Sequence, residues 1–585
     1  MKHPPKSATP SERRQVERTH PALVLLQAAE GVAAPIGVLT ALLAQTLAAG
    51  FGDSVLVVHL GRSSESEDAH RGGWQSGPPS LSPSTSISGP TSRTPSIDVD
   101  RGPLHHLDLP LPADPRRAGA KLRDKLRELV PRYAYIFIDA SDREAALGRF
   151  LVEELASPEL QAAVRRLVFL TQGAALPADL PAAWSVLITQ LLQPMREEEA
   201  PPSLRAGRAK ARRPWTGIVE RVDAGRRMVR RLGERLGGEA IEPQGEPHPE
   251  ARRIPELCRV RLDLPALAAL RIAPIRVDGA QTVANPTALG RLPEAARQSL
   301  ARWARALTWR RVGVALGGSG AWGYAHVALM RQLEMRGVPI DLVGGSSSGS
   351  VMGAYYSVLG RAGLDLVVER GHLFTRLALL SMVSSTVIDL GVDADLGSPL
   401  IEDLEILFLP VATNLSRGRA EVITRSTVPS AVRASSSAPG LFASTITRTG
   451  LYVDGAISDN VPVLLVERMG ADLLVACNPL PPPELVKLHL PASPFGDFLA
   501  ELNPFQRMRD LWVSFELMFH DFGDSEAADT RIVYDPLPDS GALVETFRFD
   551  RARELVAAVE REPRFIATVD RSVEAYRRLA APRAP

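Results

Sequence analysis

Ser347 stands at the centre of Gly345-Ser346-Ser347-Ser348-Gly349, between the apolar run Ile340-Asp341-Leu342-Val343 and a helical pattern that reaches Leu359. A serine between two glycines, in a strand–tight turn–helix context, is a nucleophile elbow. Side chains on the flanking positions Gly345 and Gly349 would clash in so sharp a turn, and the serine is lifted to the top of a sheet beside a helix N-terminus. Ser346 and Ser348 are expected to point elsewhere and to be structural. A serine nucleophile needs a base, and Asp454 is a candidate: it closes the strand-like run Gly450-Leu451-Tyr452-Val453 and is followed by Gly455-Ala456, with Asn460-Val461-Pro462 shortly after. Taken alone, that Asp-Gly pair reads as an ordinary turn. A third segment, Gly317-Gly318-Ser319-Gly320-Ala321-Trp322-Gly323, lies between the strand-like Val312–Leu316 and a helical pattern over 325–336. A glycine-rich turn there exposes backbone N–H groups at the positive end of a helix. It suits an oxyanion or a nucleotide phosphate; the P-loop pattern is absent, because no Gly-Lys-Ser/Thr follows.

These residues need a parallel sheet to bring them together. Ser347 lies 27 residues beyond Gly320, the length of one strand–helix–strand unit, which places the glycine loop and the serine at the same C-terminal edge of neighbouring strands. His326, one turn into the helix after the glycine loop, is expected to pack or hydrogen-bond rather than serve as the base.

The chain of 585 residues exceeds one hydrophobic core. With a net charge of +1, it offers no global field for nucleic acid, and none is expected as a partner. Two cysteines, Cys258 and Cys477, make neither a disulfide framework nor a metal-ligand spacing; no metal is implied, and a reducing cytosol fits. Residues 1–20 are polar and expected to be a disordered leader. Over 21–195, strand-like runs (Ala22–Leu26, Val55–Leu60, Tyr133–Asp139, Leu167–Leu170, Trp184–Ile188) alternate with helical patterns, as in a Rossmann-like α/β module with a parallel sheet. A Ser/Pro/Gly-rich insertion at 62–102 is expected to be disordered. The uncharged stretch 31–51 is long enough to span a bilayer, but Pro35, Thr40 and Gln45 interrupt it, and a buried strand–loop–helix is the expectation. The skeleton resembles that of partition-type P-loop ATPases, yet the loop Glu30–Gly37 has no lysine to neutralise phosphates. A nucleotide-free docking or regulatory module is expected, with Asp139 a plain strand-end acid.

Residues 196–255 form a basic linker. Between Pro201 and Gly237, eleven Lys/Arg face three acids for a local net of +8, and Ile218, Val222, Val229, Leu232 and Leu236 recur at helical spacing. Two readings stand: an amphipathic helix on an anionic membrane, or a linker helix packed on a neighbouring domain. A helical lead-in is expected over 256–310.

Together, the Gly318-Ser319-Gly320 loop, the Ser347 elbow and Asp454-Gly455-Ala456 resemble the patatin-like phospholipase family. Val411–Leu415 and Ala434–Phe442 agree, and within the family the spacing is most similar to the bacterial neuropathy-target-esterase-like branch. The resemblance implies a three-layer α/β/α domain with a mostly parallel sheet over 311–580. It also implies a Ser347–Asp454 dyad without histidine, an oxyanion hole from the amides of Gly318, Ser319 and Gly320, no cofactor, and hydrolysis of phospholipids or lysophospholipids. The expected location is the cytoplasm, with peripheral contact at the inner membrane. Two positions depart from the family. Ser319 replaces a usual glycine, which an oxyanion loop tolerates unless the site needs φ > 0. Trp322 replaces a usual arginine and is expected to add bulk near the mouth of the site.

Overall fold

The computed structural model describes residues 20–29, 32–60, 104–109, 111, 114–140, 145–160, 163–172, 184–193, 256–269, 287–381, 384–447, 450–480, 530–532 and 547–583. The Ser/Pro-rich insertion at 62–102 and the basic segment 201–237 lie outside these residues. The described residues divide into two compact units, the first within Met1–Pro194, Arg252–Arg310 and Arg577–Pro585, the second within Met195–Ala251 and Arg311–Tyr576.

The first unit is a seven-stranded sheet in the order β3-β2-β4-β1-β5-β6-β7, with every neighbouring pair parallel. Its strands are β1 (Ala22–Ala28), β2 (Val55–His59), β3 (Leu104–Asp108), β4 (Tyr135–Asp139), β5 (Val164–Thr171), β6 (Ser185–Leu192) and β7 (Glu256–Arg261). Alternate side chains of a strand face opposite ways. Leu23 and Leu25 of β1 join a core with Leu122 and Leu126 of helix α1 (Pro115–Leu129). Val24 and Leu26 join the opposite core, with Leu42 and Leu43 on the helix Ile36–Phe51 and Trp303 on the helix Glu294–Leu307. Both faces are therefore covered, as an all-parallel sheet requires. The helix Ile36–Phe51 has its Leu39–Ala48 stretch buried and ends at Gly52 in a left-handed cap. Among the described residues no helix is long and apolar enough to cross a membrane.

Two strands went unseen in the sequence, and both lie at the sheet's edges. An edge strand need not be apolar on every residue, and Leu104-His105-His106-Leu107-Asp108 and Glu256-Leu257-Cys258-Arg259-Val260-Arg261 mix apolar with charged or polar side chains. The expectation of a helical lead-in over 256–310 is corrected accordingly. This stretch starts as a strand paired to β6 and ends as a helix in the first unit's core.

The unit is closed by a buried ion pair. Arg310 donates to Asp53 from Nη1 (2.5 Å) and Nη2 (2.9 Å), and also to the carbonyls of Leu579 (3.2 Å) and Ala581 (2.9 Å). The Arg583 amide donates to Asp53 Oδ1 at 2.8 Å.

The second unit is built on a sheet in the order β12-β13-β10-β9-β8-β14-β15, with β11 paired to β10. The strands are β8 (Val312–Leu316), β9 (Leu342–Ser346), β10 (Leu407–Asn414), β11 (Arg419–Val422), β12 (Thr445–Thr447), β13 (Gly450–Asp454), β14 (Leu473–Cys477) and β15 (Thr530–Ile532). Pairing is parallel from β10 through β9, β8 and β14 to β15, and antiparallel at β11, β12 and β13. Consecutive residues of β9 meet different helices. A side chain on Gly344 would strike Val466 of the helix Val463–Arg468, while Val343 lies against Gly353 of α2 (Ser348–Leu359). The sheet thus carries helices on both faces, an α/β/α arrangement as expected. Cys258 and Cys477 are both buried, and among the described residues neither is in a disulfide.

Candidate active site

The turn after β9 carries Ser347, half-buried, at φ 51° and ψ −122°. A non-glycine residue held there is strained, and the surroundings show what holds it. A Cβ on Gly349 would lie 2.2 Å from the Leu316 carbonyl oxygen, and one on Gly345 would lie 2.5 Å from the Gly349 carbonyl carbon. Only glycine fits either position, so both flanks of the elbow are set by close packing. The Ser347 N–H donates to Ser435, to its carbonyl oxygen at 3.2 Å and its Oγ at 3.1 Å, and Ser436 Oγ donates to the Ser347 carbonyl at 3.3 Å.

Asp454 reaches the same place by register. In β10, Val411 pairs with Ser346 of β9 and the next residue, Ala412, pairs with Asp454 of antiparallel β13. The strand end of β13 therefore stands level with the nucleophile turn. The Asp454 N–H donates to the Ser437 carbonyl (2.9 Å), and its carboxylate accepts from the Ala456 N–H (2.9 Å). The Ser347 side chain stands close enough to that carboxylate to help hold its pKa down. Asp454 is only 2 % exposed. Burial pushes its pKa up to about 6, against the smaller opposing effects of the nearby Ser347 side chain and the Ala456 N–H. A carboxylate so raised is a better base near neutral pH than an ordinary one.

The glycine loop after β8 sits against Ser347 and against Ala456, two residues beyond Asp454. Gly318 would clash with Ser347 Cβ (2.8 Å) if it carried a Cβ of its own. Its N–H donates to Asn460 Oδ1 at 2.8 Å, and the Ser319 N–H donates to Ser348 Oγ at 3.0 Å. Of the three expected oxyanion donors, two amides are thus held by side chains. The third belongs to Gly320, which has φ 58° and lines the cavity beside Ser347. Ser319 has φ −168°, so the position does not need the positive φ that would call for glycine. Trp322 corrects an expectation: it is 3 % exposed and is not among the residues lining the cavity. Ser348 braces the loop and so is structural as expected, but it also lines the cavity rather than pointing elsewhere. Ser346 is structural as expected, its hydroxyl donating to the Asp459 carbonyl at 2.7 Å. His326 is fully buried with Nε2 2.8 Å from the Gly317 carbonyl oxygen, and burial lowers its pKa to about 4. It holds the loop as a neutral imidazole, in keeping with a hydrogen-bonding role.

The cavity that opens on Ser347 is apolar. Val351 and Met352 of α2, Phe374 and Leu377 of α3 (Gly371–Ser381), Ile388 of α4 (Thr386–Leu396) and Phe549 line it, among others. Sequence reading found none of this wall, nor the clamping role of Ser435. The apolar periodicity of 371–396 is that of any buried helix pair, and Asn460 stood in a quoted motif without a role. Among the described residues, no group of His, Cys, Asp and Glu could hold a metal ion.

The first unit's sheet edge carries one polar pair, His59 Nδ1 and Asp139 Oδ2 at 2.9 Å. The expected loop there is only partly described, since Glu30 and Gly31 fall outside the described residues.

One family model matches within the second unit. The model of the patatin-like phospholipase family matches residues 314–466, which include Gly318–Gly320, Ser347 and Asp454. The chain is 35% identical over 188 residues to "Lysophospholipase nte1" of Emericella nidulans, an alignment covering 30% of this chain and 12% of that protein. It is 34% identical over 188 residues to "Lysophospholipase NTE1" of Pyricularia oryzae, with the same coverage, and 29% identical over 242 residues to that of Coccidioides immitis, covering 40% of this chain and 15% of the relative. The chain thus spans about an eighth of the length of the first of these relatives, and all three are fungal. Among solved structures, VipD from Legionella pneumophila aligns with 43% of this chain and 67% of its own, at 13% identity and a TM-score of 0.21.

Proposed function

We propose that this chain, which carries a patatin-like phospholipase domain in its second half, is a serine lipid acyl hydrolase acting on phospholipids or lysophospholipids. One observation carries the reading: a strained serine, beside a buried carboxylate with a raised pKa, lines an apolar cavity. The cavity suits an acyl chain, since burying apolar surface is its main source of binding energy. Ser347 Oγ attacks the ester carbonyl while Asp454 takes its proton. The Gly320 amide of the glycine loop faces the charge that develops on the carbonyl oxygen, and a donor of this kind contributes on the order of 10²–10³ in rate. Asp454 then passes the proton to the departing alcohol, leaving the acyl group on Ser347. Water, deprotonated by the same carboxylate, attacks the acyl-enzyme; the fatty acid leaves and Ser347 regains its proton. The cycle needs no metal or organic cofactor.

The test is fatty-acid release from lysophosphatidylcholine and phosphatidylglycerol by the purified chain. Release is expected. A folded protein that releases nothing from these or from a short-chain ester would favour an interaction scaffold built on the same fold.

The cavity wall gives a second expectation. Ala378→Phe places a ring in the cavity that Ala378 lines. It should lower kcat/KM for a long-chain ester about tenfold or more relative to a four-carbon ester, the scale on which pockets discriminate by a few methylenes. Equal loss on both esters would remove the cavity from acyl recognition.

A peripheral location at an anionic membrane is part of this proposal only through the basic segment 201–237, which lies outside the described residues. Binding to vesicles containing anionic phospholipid, weakened by salt, is its measurement.

A further inference from the structure

The glycine loop presents a puzzle of supply. Three amides were expected to receive the oxyanion, yet Gly318 N–H is bonded to Asn460 Oδ1 at 2.8 Å and Ser319 N–H to Ser348 Oγ at 3.0 Å. Gly320 alone lines the cavity with its N–H uncommitted, in a left-handed conformation at φ 58°. Asn460 is completely buried. An N–H requires an acceptor, so its carboxamide oxygen, not its nitrogen, is the atom turned to Gly318. The contact is also tightly set. The point where a side chain on Gly318 would begin lies 3.2 Å from Asn460 Oδ1, 2.8 Å from Ser347 Cβ and 3.1 Å from Ala456 Cβ. One carboxamide oxygen therefore joins the glycine loop to the turn that carries Asp454, directly beside the nucleophile.

We infer that Asn460 is a positioning residue of the reaction: by holding the Gly318 amide it fixes the loop so that the oxyanion is received at Gly320. The inference rests on the hydrolase reading above. A buried amide left without its acceptor would be free to turn toward the cavity or to seek water, and the loop's remaining donor would lose its aim. Oxyanion donors act only where charge develops, so misplacing one lowers kcat while leaving substrate binding in place.

The experiment measures kcat, KM and the pH profile of Asn460→Ala and Asn460→Asp on a soluble short-chain ester, with thermal unfolding of each. Asn460→Ala is expected to lower kcat on the order of 10²-fold with KM changed less than about twofold. Asn460→Asp keeps an oxygen acceptor for Gly318 N–H and so retains most of kcat at high pH. It also adds a second carboxylate near Asp454, which raises the pKa of the base; the acid limb of its profile should move up by about one unit. Wild-type turnover with kcat unchanged in folded Asn460→Ala would overturn the inference and leave the hydrolase reading standing. Losses in both variants that follow only the folded fraction, with no shift of the acid limb, would also overturn it. Should Asn460→Ala fail to fold, the position of the acid limb in Asn460→Asp decides in the same way. No turnover by the wild type on any ester would remove the hydrolase reading itself.

Discussion

Ser347→Ala is expected to lower kcat for fatty-acid release by at least about 10⁴-fold, and Asp454→Asn by about 10³–10⁴-fold, the scale found where a nucleophile or its base acts as one unit with its partner. Combining the two should cost little more than Ser347→Ala alone, since each removes the same step. Neither loss would come from unfolding. The Ser347 N–H is held by Ser435 whatever its side chain, and an Asn at 454 still offers an oxygen to the Ala456 N–H. Asp454→Asn should in fact be the more stable protein at neutral pH. The folded state raises this carboxyl from 3.8 to about 6, so it binds a proton more tightly than the unfolded chain does. The associated stability is fully present below pH ~4 and lost as pH rises through about 6, where the buried carboxylate ionises. A neutral Asn escapes that loss. The melting point of Asp454→Asn should therefore rise relative to wild type between pH 4 and 7, by an amount equivalent to on the order of 1–3 kcal/mol. The same titration sets activity: wild-type kcat/KM should climb with pH around a midpoint near 6 and level off above it, because the base must be ionised. Activity in Asp454→Asn within tenfold of wild type, or a wild-type profile flat from pH 5 to 8, would dismiss Asp454 as the base.

The largest expected loss of stability lies in the first unit. Asp53→Ala should destabilise the protein by about 3–5 kcal/mol, as breaking a buried ion pair from one side does. Asp53 is 0 % and Arg310 1 % exposed, so the guanidinium left behind cannot find water. Among its other partners, the Leu579 and Ala581 carbonyls and the Phe51 ring are neutral. The Arg583 amide loses its acceptor as well. The double variant Asp53→Ala/Arg310→Met removes the stranded charge and should be more stable than Asp53→Ala alone, since an apolar replacement of a buried pair is often close to neutral. Urea unfolding of the full chain measures both. A shift below about 1 kcal/mol for Asp53→Ala would mean that the pair is solvated in solution.

The nucleophile elbow was legible because its demands are local. Gly345, Ser347 and Gly349 answer to the sterics of one turn, and a turn is set by the residues in it. The α/β character of both halves was legible for a similar reason, since central strands such as Val55–His59 and Tyr135–Asp139 are buried on both faces and read as unbroken apolar runs. The edge strands Leu104–Asp108 and Glu256–Arg261 were not, because pairing rather than composition made them strands, and their partners lie far away in sequence.

The sequence by itself determined which residues have the chemistry: a serine that must sit on a strained turn, a glycine loop that must lie one strand away, and an acid at a strand end. Only the tertiary structure decided what those residues do for one another. The alignment of Asp454 with Ser346 comes from two strands pairing with β10 at successive residues. The raised pKa of Asp454 comes from burial by segments remote in the chain. The commitment of the Gly318 amide to Asn460, 142 positions away, follows from packing that no local pattern encodes. Steric demands within a turn are written in adjacent residues; burial, register and the partner of an amide depend on what the rest of the chain brings near.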